Sequence, residues 1–218
     1  MSEDTQKLVK KVAKSKRYKG WDPQKESETY DVGFYEKHRK YYDKGIAHYA
    51  EWLEQNLQFD SIVDVGCGCG DFLVPLVEKK KVLGIDFSTG AEAMLAIPPE
   101  CYLCHDLTKP LSELDTKSSY DLVVSLEVYE HIPEEFESTF IDNLLAFKPK
   151  TLILSCAEPG QWGRHHYNCR GKDEVVPILT GRGYLYDEAL TSSFQKIKKL
   201  ASFYRKNTAV FTRNDVTT

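Results

Sequence analysis

The chain has 218 residues, of which 41% are hydrophobic and 28% charged, and its formal net charge is −4 at pH 7. This length allows one domain with a substantial core and excludes a second full domain. The mean hydropathy is −0.46, and no apolar run of the sequence approaches the ~18 residues that a membrane-spanning helix needs. Because the first residues also lack the apolar segment of a secretory signal, we expect a cytoplasmic protein.

Lysine and arginine dominate the first twenty residues, although the chain as a whole is acidic. Such a run is most often a solvated segment, and we therefore expect residues 1–20 to form a basic N-terminal arm outside a single domain of residues 21–218. Binding of nucleic acid or of an acidic membrane surface by this arm is the alternative. The acidic charge of the whole chain is not typical of a general RNA-binding protein.

Aromatic residues are dense in the following segment, which includes Tyr30, Phe34 and Tyr35. Such side chains either close a pocket over a flat ligand or pack on the surface of the core, and both interpretations stay open. We define residues 21–58 as the aromatic cap segment. Its second half predicts a helix before the first strand, because apolar residues recur there at helical spacing on Ile46, Tyr49, Ala50, Leu53 and Leu57.

The segment that follows has the pattern of a strand, a glycine turn and a helix. Ile62, Val63 and Val65 suit a buried strand. Glycines then occupy alternate positions 66, 68 and 70, and apolar residues at helical spacing come next, at 72, 73, 76 and 77. Glycine allows the backbone to approach a ligand closely, and the N-terminus of a helix offers unpaired N–H groups. In the dinucleotide-binding fingerprint the third glycine follows the second by three residues, whereas Gly70 follows Gly68 by two. The turn therefore does not match that fingerprint.

Three further strands are predicted, and each ends in an acidic residue, at Asp86, Asp106 and Glu127. Asp86 lies roughly 20 residues after Asp64, where a carboxylate can accept both hydroxyl groups of a ribose. In this order and spacing, the glycine turn and the three strand ends resemble motif I and the later motifs of class I S-adenosylmethionine (SAM) dependent methyltransferases, over about residues 30–213. The resemblance implies an enzyme that binds SAM, with Asp106 near the adenine amino group.

The resemblance also implies which residues bind the cofactor. Arg39 follows a histidine in a pair that precedes motif I in the ubiquinone-type enzymes, so it either pairs with the cofactor carboxylate or faces solvent. The predicted cofactor-binding residues are Arg39, Asp64, Gly66, Cys67, Gly68, Gly70, Asp86, Phe87, Asp106, Leu107 and Leu126.

Strands continue to alternate with helices through the rest of the chain. Helices are predicted on residues 133–145, 173–179 and 190–200, and strands on residues 151–157, 183–186 and 208–213. This alternation predicts an α/β fold, a doubly wound and mostly parallel sheet with helices on both faces. The resemblance adds seven strands in the order 3-2-1-4-5-7-6, an antiparallel last strand, and a ligand at the carboxyl ends of the strands.

Two segments carry groups that could activate a hydroxyl acceptor, which is a poor nucleophile at neutral pH. The first has the pattern E-x-x-E-H and is similar to the metal-binding segment of two enzyme groups, the ubiquinone-biosynthesis O-methyltransferases and the small-RNA 3′-end 2′-O-methyltransferases. If this turn is helical, Glu127, Glu130 and His131 face one side and could bind Mg²⁺ or Mn²⁺. The alternative is that these acidic groups line the cofactor site without a metal.

The second segment follows the fifth strand and contains His165 and His166. Either histidine could act as the catalytic base, together with Glu130, or His166 could complete a metal site with Glu127, Glu130 and His131. The alternative is a surface loop with two hydrogen-bonded histidines.

From these patterns we expect an O-methyltransferase that acts on a small polar acceptor. A sugar or glycan is favoured, because a metal at the first segment could bind a diol and because the chain from His165 to Arg213 resembles methyltransferases encoded beside glycosyltransferases. Methylation of a quinone or catechol, or of an RNA ribose, is the enzymatic alternative. A catalytically silent protein that binds SAM or a partner is the alternative of another class. The sequence does not identify the oligomeric state.

Overall fold

A seven-stranded sheet forms the centre of the computed structural model, which describes residues 22–111 and 118–214. The predicted basic arm lies outside the described residues. The strand order is β3-β2-β1-β4-β5-β7-β6. The strands are β1 (Ser61–Val65), β2 (Lys81–Asp86), β3 (Tyr102–Cys104), β4 (Leu122–Ser125), β5 (Thr151–Ser155), β6 (Tyr184–Tyr186) and β7 (Thr208–Arg213).

The sheet is parallel from β3 to β5, and β7 runs antiparallel to both β5 and β6. Strands β1, β4 and β5 are short runs of residues that are almost all buried. Such runs are typical of parallel strands, because helices cover both faces of the sheet. The predicted fold class, strand order and antiparallel last strand are therefore confirmed.

The helices cover the two faces of the sheet, and in the described part of the chain a large hydrophobic core lies on each face. Val123 of β4 packs in the core that contains Phe140, whereas its neighbours Leu122 and Val124 pack in the core that contains Tyr49 and Leu53. No helix within the described ranges is long and apolar enough to cross a membrane. The helices are α1 (Pro23–Thr29), α2 (Val32–Asn56), α3 (Thr89–Ala93), α4 (Glu137–Ala146), α5 (Lys172–Thr180), α6 (Glu188–Phe194) and α7 (Ser202–Asn207).

Two predicted helices differ from the structure. The segment after the glycine turn forms only a 3₁₀ turn, Asp71–Leu73, followed by further turns. Pro75 lies in this segment and has no N–H to donate to an earlier carbonyl, so a regular α-helix is not completed. The helix predicted on residues 190–200 ends at Phe194. The backbone turns at Lys199, whose φ is +64°, and a separate helix, α7, leads into β7.

The aromatic cap segment forms two helices rather than one. Each begins at an aspartate whose carboxylate accepts a backbone N–H: Asp22 from Gln24, and Asp31 from Phe34. These side chains satisfy N–H groups that have no partner within the helix. Helix α2 consequently begins well before the apolar pattern that predicts it.

Gly66 marks the point where β1 approaches the segment after β4. Its φ is +82°, and a Cβ at this position would lie 2.2 Å from a methyl carbon of Val128. Only glycine therefore fits the turn that leaves β1. Gly183 has nearly the same φ, +84°, but a Cβ there would meet nothing within 4 Å.

Because of this difference, we expect alanine to destabilise the protein more at Gly66 than at Gly183. Gly66→Ala and Gly183→Ala both incur the left-handed backbone penalty of about 1–2 kcal/mol, but only Gly66→Ala also overpacks against Val128, at a further ~1–3 kcal/mol. We expect the free energy of unfolding, measured by urea denaturation, to fall more in Gly66→Ala. Equal losses in the two variants would show that Val128 moves aside freely.

Candidate active site

A cavity of about 870 Å³ opens at the carboxyl ends of β1, β2 and β4. The parallel sheet brings these strand ends to one edge, which is where α/β folds bind their ligands. All the predicted cofactor-binding residues except Gly70 line this cavity: Arg39, Asp64, Gly66, Cys67, Gly68, Asp86, Phe87, Asp106, Leu107 and Leu126.

Gly70 has a structural role instead. Its φ is +81°, and a Cβ there would lie 2.8 Å from two carbons of the Ile97 side chain. Gly70 therefore ends the glycine turn against the core, and the structure does not bring it into the cavity wall.

The carboxylate of Asp86 is held rigidly beside the glycine turn. Its Oδ2 accepts the backbone N–H of Gly68 at 2.9 Å, and its Oδ1 accepts the N–H groups of Phe87 and Ser88 and the Ser88 hydroxyl. Oδ2 keeps acceptor capacity, because a carboxylate oxygen accepts two hydrogen bonds. This geometry suits a ribose hydroxyl, and the contact itself stays a prediction.

Asp106 and Arg39 also line the cavity, but each is braced by protein groups. The Oδ1 atom of Asp106 accepts the N–H and hydroxyl of Thr108, and Lys109 lies 3.2 Å from its Oδ2. The guanidinium of Arg39 donates from Nε to Asp71 at 2.7 Å and from a terminal nitrogen to the Met94 carbonyl. Arg39 therefore does not face solvent freely, and its pairing with a cofactor carboxylate stays a prediction.

Aromatic side chains of the cap segment form one wall of the cavity. The ring of Tyr35 packs over Gly68, and its hydroxyl lies 2.8 Å from the Ser88 hydroxyl. Tyr30 and Phe34 meet edge to face, with ring centroids 5.0 Å apart. The aromatic residues of the cap segment therefore both pack on the core and border the cavity. Tyr35 is buried, and Tyr30 and Phe34 line the cavity.

The segment after β4 does not form the α-helical turn on which the predicted E-x-x-E-H site depends. Glu127 has a left-handed φ of +57°, and only Tyr129–His131 form a 3₁₀ turn. The Oε1 atom of Glu127 accepts hydrogen bonds from the Ser155 hydroxyl at 2.9 Å and from the Asn207 amide at 3.1 Å. Glu127 is therefore fixed between β5 and α7. Its carboxyl group neighbours that of Glu130, but Glu127 is not among the residues whose potential ligand atoms all lie within 4.8 Å of one another.

The other three residues of that predicted set do come together. One potential ligand atom from each of Glu130, His131 and His166 lies within 4.8 Å of the other two, and we call this group the histidine-carboxylate cluster. Glu130 is completely buried, and neither of its carboxyl oxygens has a hydrogen-bond partner of normal geometry in the described part of the chain. Burial, and then the charge of Glu127, raise the pKa of Glu130 to about 8.

Backbone carbonyls orient both imidazoles of the cluster. Nδ1 of His131 lies 3.1 Å from the His165 carbonyl oxygen and 3.2 Å from the Tyr30 hydroxyl, and Nδ1 of His166 lies 3.2 Å from the Gln161 carbonyl oxygen. A carbonyl can only accept, so each Nδ1 carries the proton and each Nε2 keeps its lone pair. Burial lowers the pKa of His131 to about 4 and lowers the pKa of His166, so both rings favour the neutral form.

His165, the other candidate base, points elsewhere. We define residues 158–170 as the histidine loop. Within it His165 has a φ of +60°, and its Nδ1 donates to the carboxylate of Glu26 at 2.7 Å. His166 instead lies over Gly163, where a Cβ would come within 1.9 Å of its Nε2. His131 and His166 border the cavity, whereas His165 and Glu130 do not.

Several residues of this site carry no signal in the sequence. Glu26 and Tyr167 hold the histidine loop against α1, while Ser155 and Asn207 hold Glu127. The partners in these contacts are far apart in the chain, so local patterns cannot identify them. Trp162, by contrast, does carry a signal, because it is an aromatic residue in a glycine-rich loop. It lines the cavity and is 92% exposed.

A family model described as a methyltransferase domain matches residues 34–168. The magnesium-protoporphyrin O-methyltransferase of Synechocystis sp. is 31% identical over 146 residues, which are 63% of this chain and 62% of that relative. The match therefore spans less than two thirds of the relative's length.

Solved structures share the fold at low sequence identity. The magnesium protoporphyrin IX methyltransferase of Synechocystis with bound S-adenosylhomocysteine (SAH) has a TM-score of 0.61 and 18% identity, over 88% of this chain and 100% of that one. A sugar N-methyltransferase from Streptoalloteichus sp. has a TM-score of 0.60 and 14% identity, over 84% and 92%. The small RNA methyltransferase HEN1 has a TM-score of 0.53 and 18% identity, over 78% and 25%.

The buried acid of motif I gives a prediction for the dependence of stability on pH. Burial, and then the charge of Asp86, raise the pKa of Asp64 from 3.8 to about 7. Between these values the folded protein binds more protons than the unfolded chain, so the free energy of unfolding falls as the pH rises through this window.

Asp64→Asn should lose less stability as the pH rises, because the amide has no charge to bury. We expect the decrease in the free energy of unfolding between about pH 4 and about pH 8 to be smaller by about 3–4 kcal/mol. Urea denaturation without SAM at about pH 4 and about pH 8 measures the effect. Asp60→Asn is the matched control, since Asp60 precedes the same strand and its side chain is fully exposed. The same fall in Asp64→Asn as in the unmodified protein would exclude Asp64 as its source.

Proposed function

This chain belongs to the class I SAM-dependent methyltransferases, and from that premise we propose that it transfers the methyl group to a hydroxyl of a small polar acceptor, with a sugar or glycan as the acceptor class. The histidine-carboxylate cluster carries this proposal. It lies directly after Leu126 and Glu127, at the end of β4, where the cofactor cavity meets the histidine loop.

Methyl transfer from a sulfonium requires the acceptor oxygen, the methyl carbon and the sulfur to lie in line. Holding the acceptor in that geometry supplies much of the acceleration. Removal of the hydroxyl proton supplies more, and His166 suits this role because it borders the cavity and its Nε2 keeps a lone pair. Carbonyl contacts at Nδ1 hold the rings of His131 and His166 in one tautomer.

The cluster also fits a divalent cation. A buried carboxyl group whose two oxygens lack partners is costly, and a bound cation would satisfy both oxygens and lower the pKa of Glu130. Glu130, His131 and His166 would hold the ion, and one carboxylate with two imidazoles suits Mn²⁺ better than Mg²⁺. When bound, the ion would take the Nε2 lone pair of His166, and it would itself lower the pKa of the acceptor hydroxyl and orient it. The ion and a free His166 base are therefore alternative ways to activate the acceptor.

The cavity mouth supports a sugar acceptor. Trp162 offers an exposed aromatic face on which the apolar face of a sugar ring can pack, and the polar groups of the histidine loop can bind its hydroxyls. The structural neighbours include an enzyme that methylates a sugar, although at an identity that shows the fold alone.

An RNA ribose is the second candidate acceptor. Lys37 and Arg164 line the same cavity, and a phosphate backbone would bind such cations. HEN1, a small RNA methyltransferase, is among the structural neighbours.

The direct test is SAH release from SAM with sugars, nucleotide-activated sugars, catechols, magnesium protoporphyrin and short RNAs, each with Mn²⁺, with Mg²⁺ and with a chelator. We expect turnover with a sugar that is highest with Mn²⁺. Glu130→Gln and His166→Ala should each lower kcat about 100-fold or more while SAM affinity is retained.

His48→Ala is the control, because His48 is a partly buried histidine of α2 that pairs with Glu51 on its own helix and does not line the cavity. Full activity in both cluster variants would contradict the proposed site. Turnover with RNA alone would favour the second candidate. SAM binding without SAH release from any acceptor class would favour a catalytically silent protein.

Trp162 provides a separate prediction about the acceptor. Trp162→Ala removes a stacking surface that binds the sugar equally in the ground state and the transition state, so KM for the sugar should rise about tenfold with little change in kcat. Steady-state kinetics measure both constants. Trp162→Phe, which keeps an aromatic face, should restore most of the affinity. An unchanged KM in Trp162→Ala would exclude stacking on this residue.

A further inference from the structure

Glu26 connects the first helix of the described chain to the histidine loop. It lies on α1 and is only 9% exposed. Its carboxylate accepts the Nδ1–H of His165 at 2.7 Å and the hydroxyl of Tyr167. Two side chains of the loop thus share one buried carboxylate, which is a strong, charge-assisted arrangement.

The loop segment that Glu26 holds also orients two members of the histidine-carboxylate cluster. The carbonyl oxygen of His165 accepts the Nδ1–H of His131 at 3.1 Å. The backbone N–H groups of Tyr167 and Asn168 donate to the carbonyl oxygen of Glu130, at 2.7 and 3.0 Å. A movement of His165 would therefore change the hydrogen bond that fixes the tautomer and the orientation of the His131 ring.

His165 adopts this position at a conformational cost. Its φ of +60° is unusual for a residue other than glycine, and such a conformation persists only when surrounding contacts hold it. The pairing of its ring with Glu26 is the contact that fixes its side chain. Without Glu26, the backbone at His165 can relax, and the carbonyl that orients His131 moves with it.

Helix α1 also forms part of the cofactor wall. Glu26, Ser27 and Thr29 line the cavity, and the Ser27 hydroxyl donates to the Phe87 carbonyl at 3.0 Å, next to Asp86. The same short helix thus contacts the cofactor side of the cavity through Ser27 and the transfer side through Glu26.

We propose that Glu26 is a positioning residue, which couples the seating of α1 over the cofactor to the orientation of His131 in the histidine-carboxylate cluster. The effect on catalysis rests on the function proposed above for that cluster. The structural coupling does not, so the two can be tested apart. In this proposal Glu26 acts through His165.

The test compares Glu26→Ala, Glu26→Gln and Tyr167→Phe with Glu28→Ala. Glutamine can still accept from His165 and should keep most of the coupling, while Tyr167→Phe removes only one of the two bonds. Glu28 is the control, because its carboxylate is exposed on the same helix and bonds Gln24. If Glu26→Ala does not fold, Tyr167→Phe remains as the milder variant.

Two readouts do not depend on turnover. Hydrogen exchange of the Tyr167 and Asn168 amides should become faster in Glu26→Ala and stay unchanged in Glu28→Ala. Nitrogen NMR of His131 should show the Nδ1–H tautomer in the unmodified protein and a mixture of tautomers in Glu26→Ala. Unchanged exchange and an unchanged tautomer in Glu26→Ala would overturn the coupling.

Kinetics then test the catalytic consequence. We expect kcat to fall about 10- to 100-fold in Glu26→Ala, the usual effect of removing a group that orients an active-site histidine. It should recover in Glu26→Gln, and the SAH dissociation constant should change far less than kcat. An undiminished kcat in Glu26→Ala would overturn the positioning role. If the unmodified protein turns over no acceptor, the proposed function fails, and exchange and NMR still decide the coupling.

Discussion

The burial of the Glu130 carboxyl group is the constraint on which the active site depends. Two oxygens without partners in a dry interior are unfavourable unless the group is protonated or paired with a cation. Backbone N–H groups of Glu130 and Ala157 offset only part of this cost, since Glu127 adds a second carboxylate and both neighbouring imidazoles favour the neutral form. The fold nevertheless keeps Glu130 in place through its backbone, because two amides of the histidine loop hold its carbonyl oxygen. Such an arrangement is typical of a site built for function rather than for stability.

The sheet explains why the predicted cofactor-binding residues lie next to the histidine-carboxylate cluster. The carboxyl ends of β1 and β2 carry the glycine turn and Asp86, and the end of β4 carries Leu126 and Glu127. Glu127 is then tied to β5 through Ser155 and to the C-terminal end of α7 through Asn207. Distant segments of the chain thus determine the backbone path that leads from the cofactor cavity to the histidine-carboxylate cluster.

Most of the fold could be predicted from sequence because its signals are local. Buried runs such as Ser61–Val65 and Thr208–Arg213 coincide with the predicted strands, and a carboxylate that ends a parallel strand must lie at the ligand edge. The Glu127-to-His131 segment departs from the helical turn that its spacing requires, because Glu127 adopts a left-handed backbone.

The histidine loop shows why the arrangement of the site could not be predicted from the sequence. His165 and His166 are adjacent in sequence, yet one ring turns to Glu26 on α1 and the other to the cluster, because His165 has a positive φ. Gly163 leaves the space that His166 occupies. Neither the choice between the two histidines nor the role of Glu26 follows from residue type, because both depend on contacts between residues more than 100 positions apart.

The most direct measurement is a crystal structure with bound SAH and Mn²⁺, with diffraction data collected at the manganese absorption edge. Anomalous density bounded by Glu130, His131 and His166, at the end of the cavity that holds the cofactor sulfur, is the expected result. No density there at saturating Mn²⁺ with SAH bound, or an ion bound elsewhere in the cavity, would contradict a metal-binding cluster and leave His166 as a base acting without a cation.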